Sequence, residues 1–189
     1  MALNGIQLCA RALIKLGATP LAAFDEATVE ATVARNLYPA LRDALLAAHP
    51  WSFATAQAHL ARLVAPPVAE FEVAHQLPAD FLRALSAGAD GAASCLSYRI
   101  VENRLHSDAL EVTLTYIFRP PEGSFPPFFD WLLIARLAAE FCLPLTESTS
   151  RAEALAQLAE AEFRRAKLID SQQGTAPALQ DFTLIEARG

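Results

Sequence analysis

The chain contains 189 residues, of which 53% are hydrophobic and 19% are charged. This composition excludes a generally disordered chain and provides enough apolar surface for the core of one domain. The formal net charge of -6 disfavours a duplex-DNA-binding protein, because an acidic molecule repels phosphate. The most apolar stretch, 131–143, contains Arg136 and Glu140 and is too short to cross a bilayer, so we expect no membrane association.

Two helices are predicted in the N-terminal part of the chain. Apolar residues at helical spacing over 3–16 indicate the first helix, and Gly17 suits its left-handed C-terminal cap. We expect Asp25 to cap the second helix, with Phe24 packing against Val29 as a hydrophobic staple. The expected buried stripe of the second helix is Val29, Val33, Leu37, Leu41 and Leu45.

Two prolines predict where the second helix bends and where it ends. Pro39 should bend the helix, because proline lacks a backbone donor and crowds the preceding turn, and Pro50 should end it. Trp51 and Phe53 then alternate with small residues. This alternation predicts an extended segment with one buried face.

A small antiparallel sheet is predicted in the middle of the chain. The stretch 51–71 fits either a helix or a strand, because its alanines at 54, 56 and 58 suit a helix whereas their alternation with polar residues suits a strand. Pro78 should preset a short turn or helix after an extended segment, and 87–94, rich in glycine and alanine, should be a loop. Strand patterns follow at 98–101, near Leu105 and at 112–118. We therefore expect an antiparallel sheet or hairpin over 98–118.

A third helix over 128–143 is apolar on nearly every side, so we expect it at the centre of the fold. On that hypothesis Trp131→Ala would cost about 3 to 5 kcal/mol. Pro144 should end this helix, and Ser150 with Glu153 should form the capping box of a last helix that stops near Gly174. The predicted fold class is mainly α (α+β), a helical bundle around the central helix with a small antiparallel sheet and an extended C-terminal arm.

We interpret 1–174 as a single domain and 175–189 as the arm. The arm carries Phe182, Leu184 and Ile185, which suit either a terminal strand on the same subunit or an apolar segment that docks into a neighbour. The residues expected to hold the core or shape the backbone are Pro39, Trp51, Phe53, Pro78, Trp131 and Phe141.

No catalytic, cofactor-binding or metal site is expected. The four histidines lie in different predicted segments, and the three cysteines have no metal-type spacing. An enzyme built from distant residues such as His75, Asp80 and Glu102 is an alternative, although their spacing does not require them to meet. The charged residues of the last helix form either a solvated face or a partner contact; they are Arg151, Glu153, Glu160, Glu162, Arg164, Arg165 and Lys167.

Several short segments occur in a characteristic order. They are 13–17, 38–53, 77–83, 115–119 followed by 128–129, and 137–140 leading to 144–146. Together they resemble the head-to-tail connector or adaptor proteins of tailed bacteriophages and gene transfer agents. They are also similar to the tail tubular A proteins of short-tailed phages. The resemblance covers nearly the whole chain and rests on packing signatures.

The resemblance implies a structural virion protein without catalysis or cofactors. The subunit would form a ring, a dodecamer in the family, beneath the portal protein at the head-tail junction, after synthesis in the bacterial cytoplasm. DNA would pass through the ring without specific binding, and we expect acidic residues to outnumber basic ones on its inner wall. An alternative is a nucleic-acid-binding helical protein, regulatory or involved in packaging, although the acidic net charge disfavours it.

The resemblance also assigns surfaces to partners. The arm would dock on the portal, through Asp181, Phe182, Thr183, Leu184, Ile185 and Arg188. Loops such as 87–94 and 122–127 would meet the next tail component, a stopper or nozzle-type protein.

Overall fold

The computed structural model describes residues 3–89 and 96–174. Within them the chain forms four helices and two three-stranded antiparallel sheets, which confirms the α+β class. The helices are α1 Gly5–Leu16, α2 Val29–Ala48, α3 Pro127–Thr146 and α4 Thr149–Ser171. The strands are β1 Thr55–His59, β2 Val73–Gln76, β3 Phe81–Gly88, β4 Arg99–Val101, β5 Arg104–Ser107 and β6 Thr113–Phe118.

The first helix has the boundaries that its capping residues dictate. The Asn4 side chain accepts a hydrogen bond from the Gln7 amide at 2.8 Å, and the Gln7 side chain accepts one from the Asn4 amide at 3.0 Å. Gly17 adopts the expected left-handed cap, with φ of 70°. Gly5 faces α2, where an added Cβ would lie 2.8 Å from the Tyr38 ring. A larger residue at position 5 would therefore push α1 and α2 apart.

The predicted start of the second helix is wrong. Thr28, not Asp25, is the N-cap, and its hydroxyl accepts a hydrogen bond from the Ala31 amide at 3.2 Å. The Glu26 carboxylate accepts hydrogen bonds from two amides of the preceding turn, so the chain turns once more before the helix begins. Val29 is 65% exposed and forms no staple. Of the expected stripe, Leu45 is buried, and Val33, Leu37 and Leu41 pack partly buried against the helical core. The other buried residues of α2 are Ala31, Ala34, Tyr38 and Leu46.

The second helix ends where expected, but the segment after it is not a plain extended strand. Pro39 lies inside α2 on an exposed position, and the helix continues to Ala48. Trp51 leads into a single 3₁₀ turn, Ser52–Ala54, before β1 begins. Trp51 is fully buried, and its indole Nε1 donates a hydrogen bond to the Leu45 carbonyl at 3.0 Å. This bond folds the chain back onto the end of α2.

The middle of the chain holds more strand than the sequence predicted. The first sheet has the order β1-β6-β3 and the second the order β2-β5-β4. The three predicted strands correspond to β4, β5 and β6, whereas β1, β2 and β3 extend the sheets beyond 98–118. Glu102 and Asn103 join β4 to β5 with φ of 49° and 60°, which is the geometry of a tight hairpin turn.

The expectation of a loop over 87–94 is wrong at its start. A turn follows Pro78, but Ala87 and Gly88 belong to β3, and Ala87 is buried. Residues 90–94 lie outside the described part of the chain. Alanine-rich strands carry a poor sequence signal, because alanine is favourable in helices and depleted in strands.

Strand β6 takes part in both hydrophobic cores. Leu114 and Tyr116 pack in a sheet core with Leu105 of the second sheet, whereas Ile117 packs in the helical core. Successive side chains of a strand point to opposite faces, so a single strand can serve both cores. The sheets are thereby attached to the helices.

The long apolar helix α3 contacts α1, α2 and α4. Pro144 lies in its last turn without breaking it, and Glu147 caps it in the left-handed conformation. The next cap is Ser148, whose hydroxyl accepts from the Arg151 amide at 3.4 Å, so the capping box predicted at Ser150 and Glu153 is wrong. Phe141 is fully buried.

Trp131 does not lie in the core, contrary to the expectation. Its side chain is 56% exposed on α3, and the Lys15 ammonium lies 5.5 Å from its ring centroid. The two tryptophans of the chain therefore occupy opposite environments.

An ion-pair cluster joins α2 to the segment after β6. Asp43 accepts a bidentate pair of hydrogen bonds from Arg119, with its Oδ2 at 2.6 Å from Nη2, and it also accepts from Arg42. Arg42 and the Tyr38 hydroxyl donate to Glu122 at 2.9 and 3.1 Å. Burial alone would raise the pKa of Asp43, but the hydrogen bonds from Arg119 and Arg42 outweigh it and hold that pKa below its ordinary value.

Replacing Asp43 by alanine should lower the free energy of unfolding by about 1 to 2 kcal/mol, because it removes the carboxylate that pairs with Arg119, whereas Arg42 keeps its bond to Glu122. The effect should be present at pH 7 and fade in acid, since a carboxylate with a lowered pKa stabilises the fold only while it is ionised. Urea denaturation of Asp43→Ala, Arg119→Ala and the double variant measures it. Additive single effects would contradict the coupling.

Replacing the two tryptophans should have unequal effects. Trp51→Ala should cost about 3 to 5 kcal/mol, because it opens a cavity in the helical core. Trp131→Ala should cost about 1 kcal/mol or less, since the ring is more than half exposed. Chemical denaturation compares them directly, and equal costs would contradict the assigned burial.

Candidate functional site

Helix α4 packs against α3 and buries few of its residues. It spans 23 residues, yet only Ala159, Ala166 and Asp170 are buried. Leu158 and Leu168 are 61% and 63% exposed. A helix with so narrow a buried stripe leaves most of its surface free for contacts outside the subunit.

Asp170 fixes the C-terminal end of α4 against the chain after α2. Its carboxylate accepts hydrogen bonds from the Ser52 hydroxyl at 2.7 Å and from the Ser52 amide at 3.1 Å. His49 Nε2 lies 3.7 Å from the same carboxylate, and burial lowers the pKa of His49 despite that neighbour. The contact with Ser52 therefore does not depend on a protonated histidine.

An apolar groove runs between α3 and α4, and we call it the α3–α4 groove. Pro127, Phe128 and Trp131 line it from α3, and Ala166 and Ile169 line it from α4. Its volume is about 430 Å³. Glu162 and Arg165 stand at its rim, and neither forms an ion pair or a side-chain hydrogen bond within residues 3–89 and 96–174. The groove thus combines an apolar floor with two unpaired charges of opposite sign.

A second, smaller groove lies on the other side of α4, where α2, α3 and α4 meet. Leu41 and Ala44 of α2 and Phe163 of α4 line its apolar part, and its volume is about 220 Å³. Arg136 lies at its edge and pairs with Glu140 one turn along α3 at 3.2 Å. One aromatic residue, Phe163, lines this groove, whereas Phe128 and Trp131 line the α3–α4 groove.

The other basic side chains of α4 have contacts within the subunit. The Arg151 guanidinium donates to the Lys15 carbonyl at 3.4 Å, and that of Arg164 donates to the Glu160 carbonyl at the same distance. The Lys167 ammonium lies 4.9 Å from the Phe163 ring centroid. Both expected uses of this helix face remain open, since such contacts suit a solvated surface as well as a partner contact.

Asp130 is a half-buried carboxylic acid next to Trp131 at the start of α3. Its Oδ1 atom is buried and has no hydrogen-bond partner among the residues that the structure describes. Burial raises the pKa of Asp130 to about 6, against the opposing effect of the Arg11 charge. Ionisation of this carboxyl group at neutral pH therefore destabilises the folded state.

The residues of the enzyme alternative each have separate surroundings. His75 is fully buried in β2, where Nε2–H donates to the Ala109 carbonyl at 3.0 Å. Asp80 accepts from the Tyr116 hydroxyl at 3.3 Å, and Glu102 lies in the exposed β4–β5 turn. Burial raises the pKa of Cys9 to about 12, so this thiol is not a nucleophile at neutral pH. In residues 3–89 and 96–174, no three acidic, histidine or cysteine side chains are grouped as a metal site would require.

The surfaces assigned to partners from the sequence are only partly described. All six arm residues, from Asp181 to Arg188, lie outside the described residues. In the 122–127 segment, Glu122 is tied to Arg42 and Tyr38, so this loop is anchored to α2. The α3–α4 groove could not be recognised from the sequence, because the apolar pattern of 128–143 predicted that Trp131 lies in the core.

Comparison with protein-family models gives no match, and comparison with curated protein sequences gives none either. None of the helices in the described ranges combines the length and the apolar character that a membrane crossing requires.

Replacing Asp130 by asparagine should stabilise the protein at pH 7 to 8. The folded-state pKa of about 6 lies above the ordinary pKa of an aspartate, so ionisation destabilises the fold as the pH rises from the ordinary pKa through the raised one. The gain should be about 1 to 2 kcal/mol, because the group is only partly buried, and it should vanish near pH 4. Urea denaturation at both pH values measures it, with the exposed Asp25→Asn as control. A gain that does not change with pH would contradict the assignment.

Proposed function

We propose that this protein is a structural head-to-tail adaptor of a tailed bacteriophage or a gene transfer agent. In this proposal it forms a ring beneath the portal protein, joins the capsid vertex to the next tail component and lets DNA pass. The proposal is supported by short sequence segments between residues 13 and 146, whose order along the chain resembles that of such adaptors.

The observation that carries the proposal is the exposed tryptophan in the α3–α4 groove. Trp131 lies 56% exposed beside Phe128 and Ile169, in a chain whose other tryptophan is fully buried. Tryptophan is among the residues that contribute most to protein–protein binding, and large exposed apolar patches mark interaction sites. A protein that acts by gripping protein neighbours needs such a surface.

The two hydrophobic cores are a second support. An adaptor must bind different proteins on different surfaces, and this subunit has a helical part and a sheet part, each with its own core. Ile117 and the pair of Asp43 with Arg119 connect the two parts.

The charge of the chain agrees with DNA passage without retention. With 21 acidic and 15 basic residues, the subunit carries a net negative charge, which repels phosphate over distances comparable to the Debye length. The nucleic-acid-binding alternative would need a local basic surface that overcomes this field. The acidic total favours a conduit over a binding protein.

Shortening the chain after Gln173 tests the proposal. The shortened chain should fold, because every described helix and strand ends at or before Ser171, and it should no longer attach to the portal if the arm is the docking segment. The portal protein to use is the one encoded in the same gene neighbourhood. Circular dichroism checks the fold, and co-sedimentation with purified portal rings measures attachment.

Two matched variants of the full chain sharpen this test. Phe182→Asp with Ile185→Asp should abolish attachment, whereas Val64→Asp with Val68→Asp, which changes two fully exposed apolar residues elsewhere, should leave it intact. Undiminished attachment of the shortened chain would contradict the docking arm. A gene neighbourhood without portal and capsid genes, together with no attachment of the full chain, would contradict the adaptor itself.

A further inference from the structure

The α3–α4 groove is bordered by a face of α4 whose charges complement a second copy of the same face. Leu158, Glu162, Arg165 and Ile169 follow one another at spacings of four, three and four residues, which places them on one side of the helix. Leu158 is exposed, and the other three line the groove. We call these four residues the α4 seam.

The α4 seam has the same pattern of residue types in both chain directions: apolar, charged, charged, apolar. A two-fold axis halfway between Glu162 and Arg165 would bring Glu162 of one copy opposite Arg165 of its partner. The same axis would bring Leu158 opposite Ile169. An isologous contact must be complementary to itself, and this arrangement pairs acid with base and apolar with apolar at every position.

We propose that two copies of this chain associate through their α4 seams as an antiparallel helix pair. The partner helix would lie over the α3–α4 groove and cover Trp131, which is more exposed than Phe128, the other aromatic residue that lines the groove. The central charges, which lack partners within the described residues, would pair across the two-fold axis. This inference does not rest on the adaptor function, since it concerns the free chain in solution.

A parallel pairing of the same helices does not satisfy the seam. It would place Glu162 opposite Glu162 and Arg165 opposite Arg165, and like charges in contact oppose association. The charge order therefore selects the antiparallel arrangement.

Charge reversal at the seam tests the pairing. Sedimentation velocity of the full chain over about 2 to 200 µM should show a monomer–dimer equilibrium, a range suited to a small interface. Glu162→Arg alone and Arg165→Glu alone should each weaken association at least about tenfold, because both central pairs become like-charged. The double variant Glu162→Arg with Arg165→Glu should regain it. An equimolar mixture of the two single variants should also regain it, as a heterodimer.

Controls separate the seam from a general charge effect. Glu153→Arg and Arg164→Glu make the same charge changes at exposed positions elsewhere on α4 and should leave the dimer unchanged. Iodide quenching of Trp131 fluorescence should fall as the protein concentration rises, since Trp51 is fully buried throughout. A chain that stays monomeric at all concentrations would overturn the inference, and so would single variants that do not recover on mixing. Portal attachment is measured separately, so either proposal can fail without the other.

Discussion

The packing of Trp51 is the constraint on which the rest of the structure depends. Its indole N–H donates to the Leu45 carbonyl, and its ring contacts Phe129 of α3 and Phe163 of α4 at centroid distances of 5.3 and 5.9 Å. The next residue, Ser52, holds Asp170 near the end of α4. One turn of chain therefore positions three helices and directs the backbone into β1, and the buried indole is satisfied in its hydrogen bonding while it fills the helical core.

From this junction the molecule extends in two directions with different chemistry. The helical part is held by apolar and aromatic packing, to which Phe141 and Ile117 contribute. The sheet part has a smaller core of its own, and its attachment to α2 is strengthened by the Asp43–Arg119 pair. The separation leaves α4 on the outside, fixed by Asp170 at one end and by the contact of Arg151 with Lys15 near the other. Contacts near both ends of a helix reduce its freedom to move, and a surface that is ordered before binding loses less conformational entropy when a partner binds.

The surface chemistry of this helix is one basis of the proposed assembly role. Its exposed leucines, the neighbouring half-exposed Trp131 of α3, and Glu162 and Arg165, which have no partner among the described residues, are groups that recognise protein surfaces. In contrast, His75 and Cys9 are buried away from the grooves, and Asp130 carries its raised pKa through simple burial beside α1. The proposed adaptor and the proposed dimer use the same physical property, an apolar surface that the monomer leaves uncovered.

The sequence by itself determined the elements whose signals are local. Gly17 indicated the end of α1, because glycine readily adopts the left-handed conformation that this C-terminal cap has. The alternation of residue types over 112–118 indicated β6. The tertiary structure decided whatever depends on neighbours distant in the chain. The alanine-rich β1 and β3 are strands because β6 supplies their hydrogen-bond partners, although alanine alone favours a helix. Trp131 is at the surface because a side chain of the apolar helix α3 is buried only where another element covers it. In a helix that is apolar on nearly every side, the sequence periodicity does not indicate which side α4 leaves uncovered.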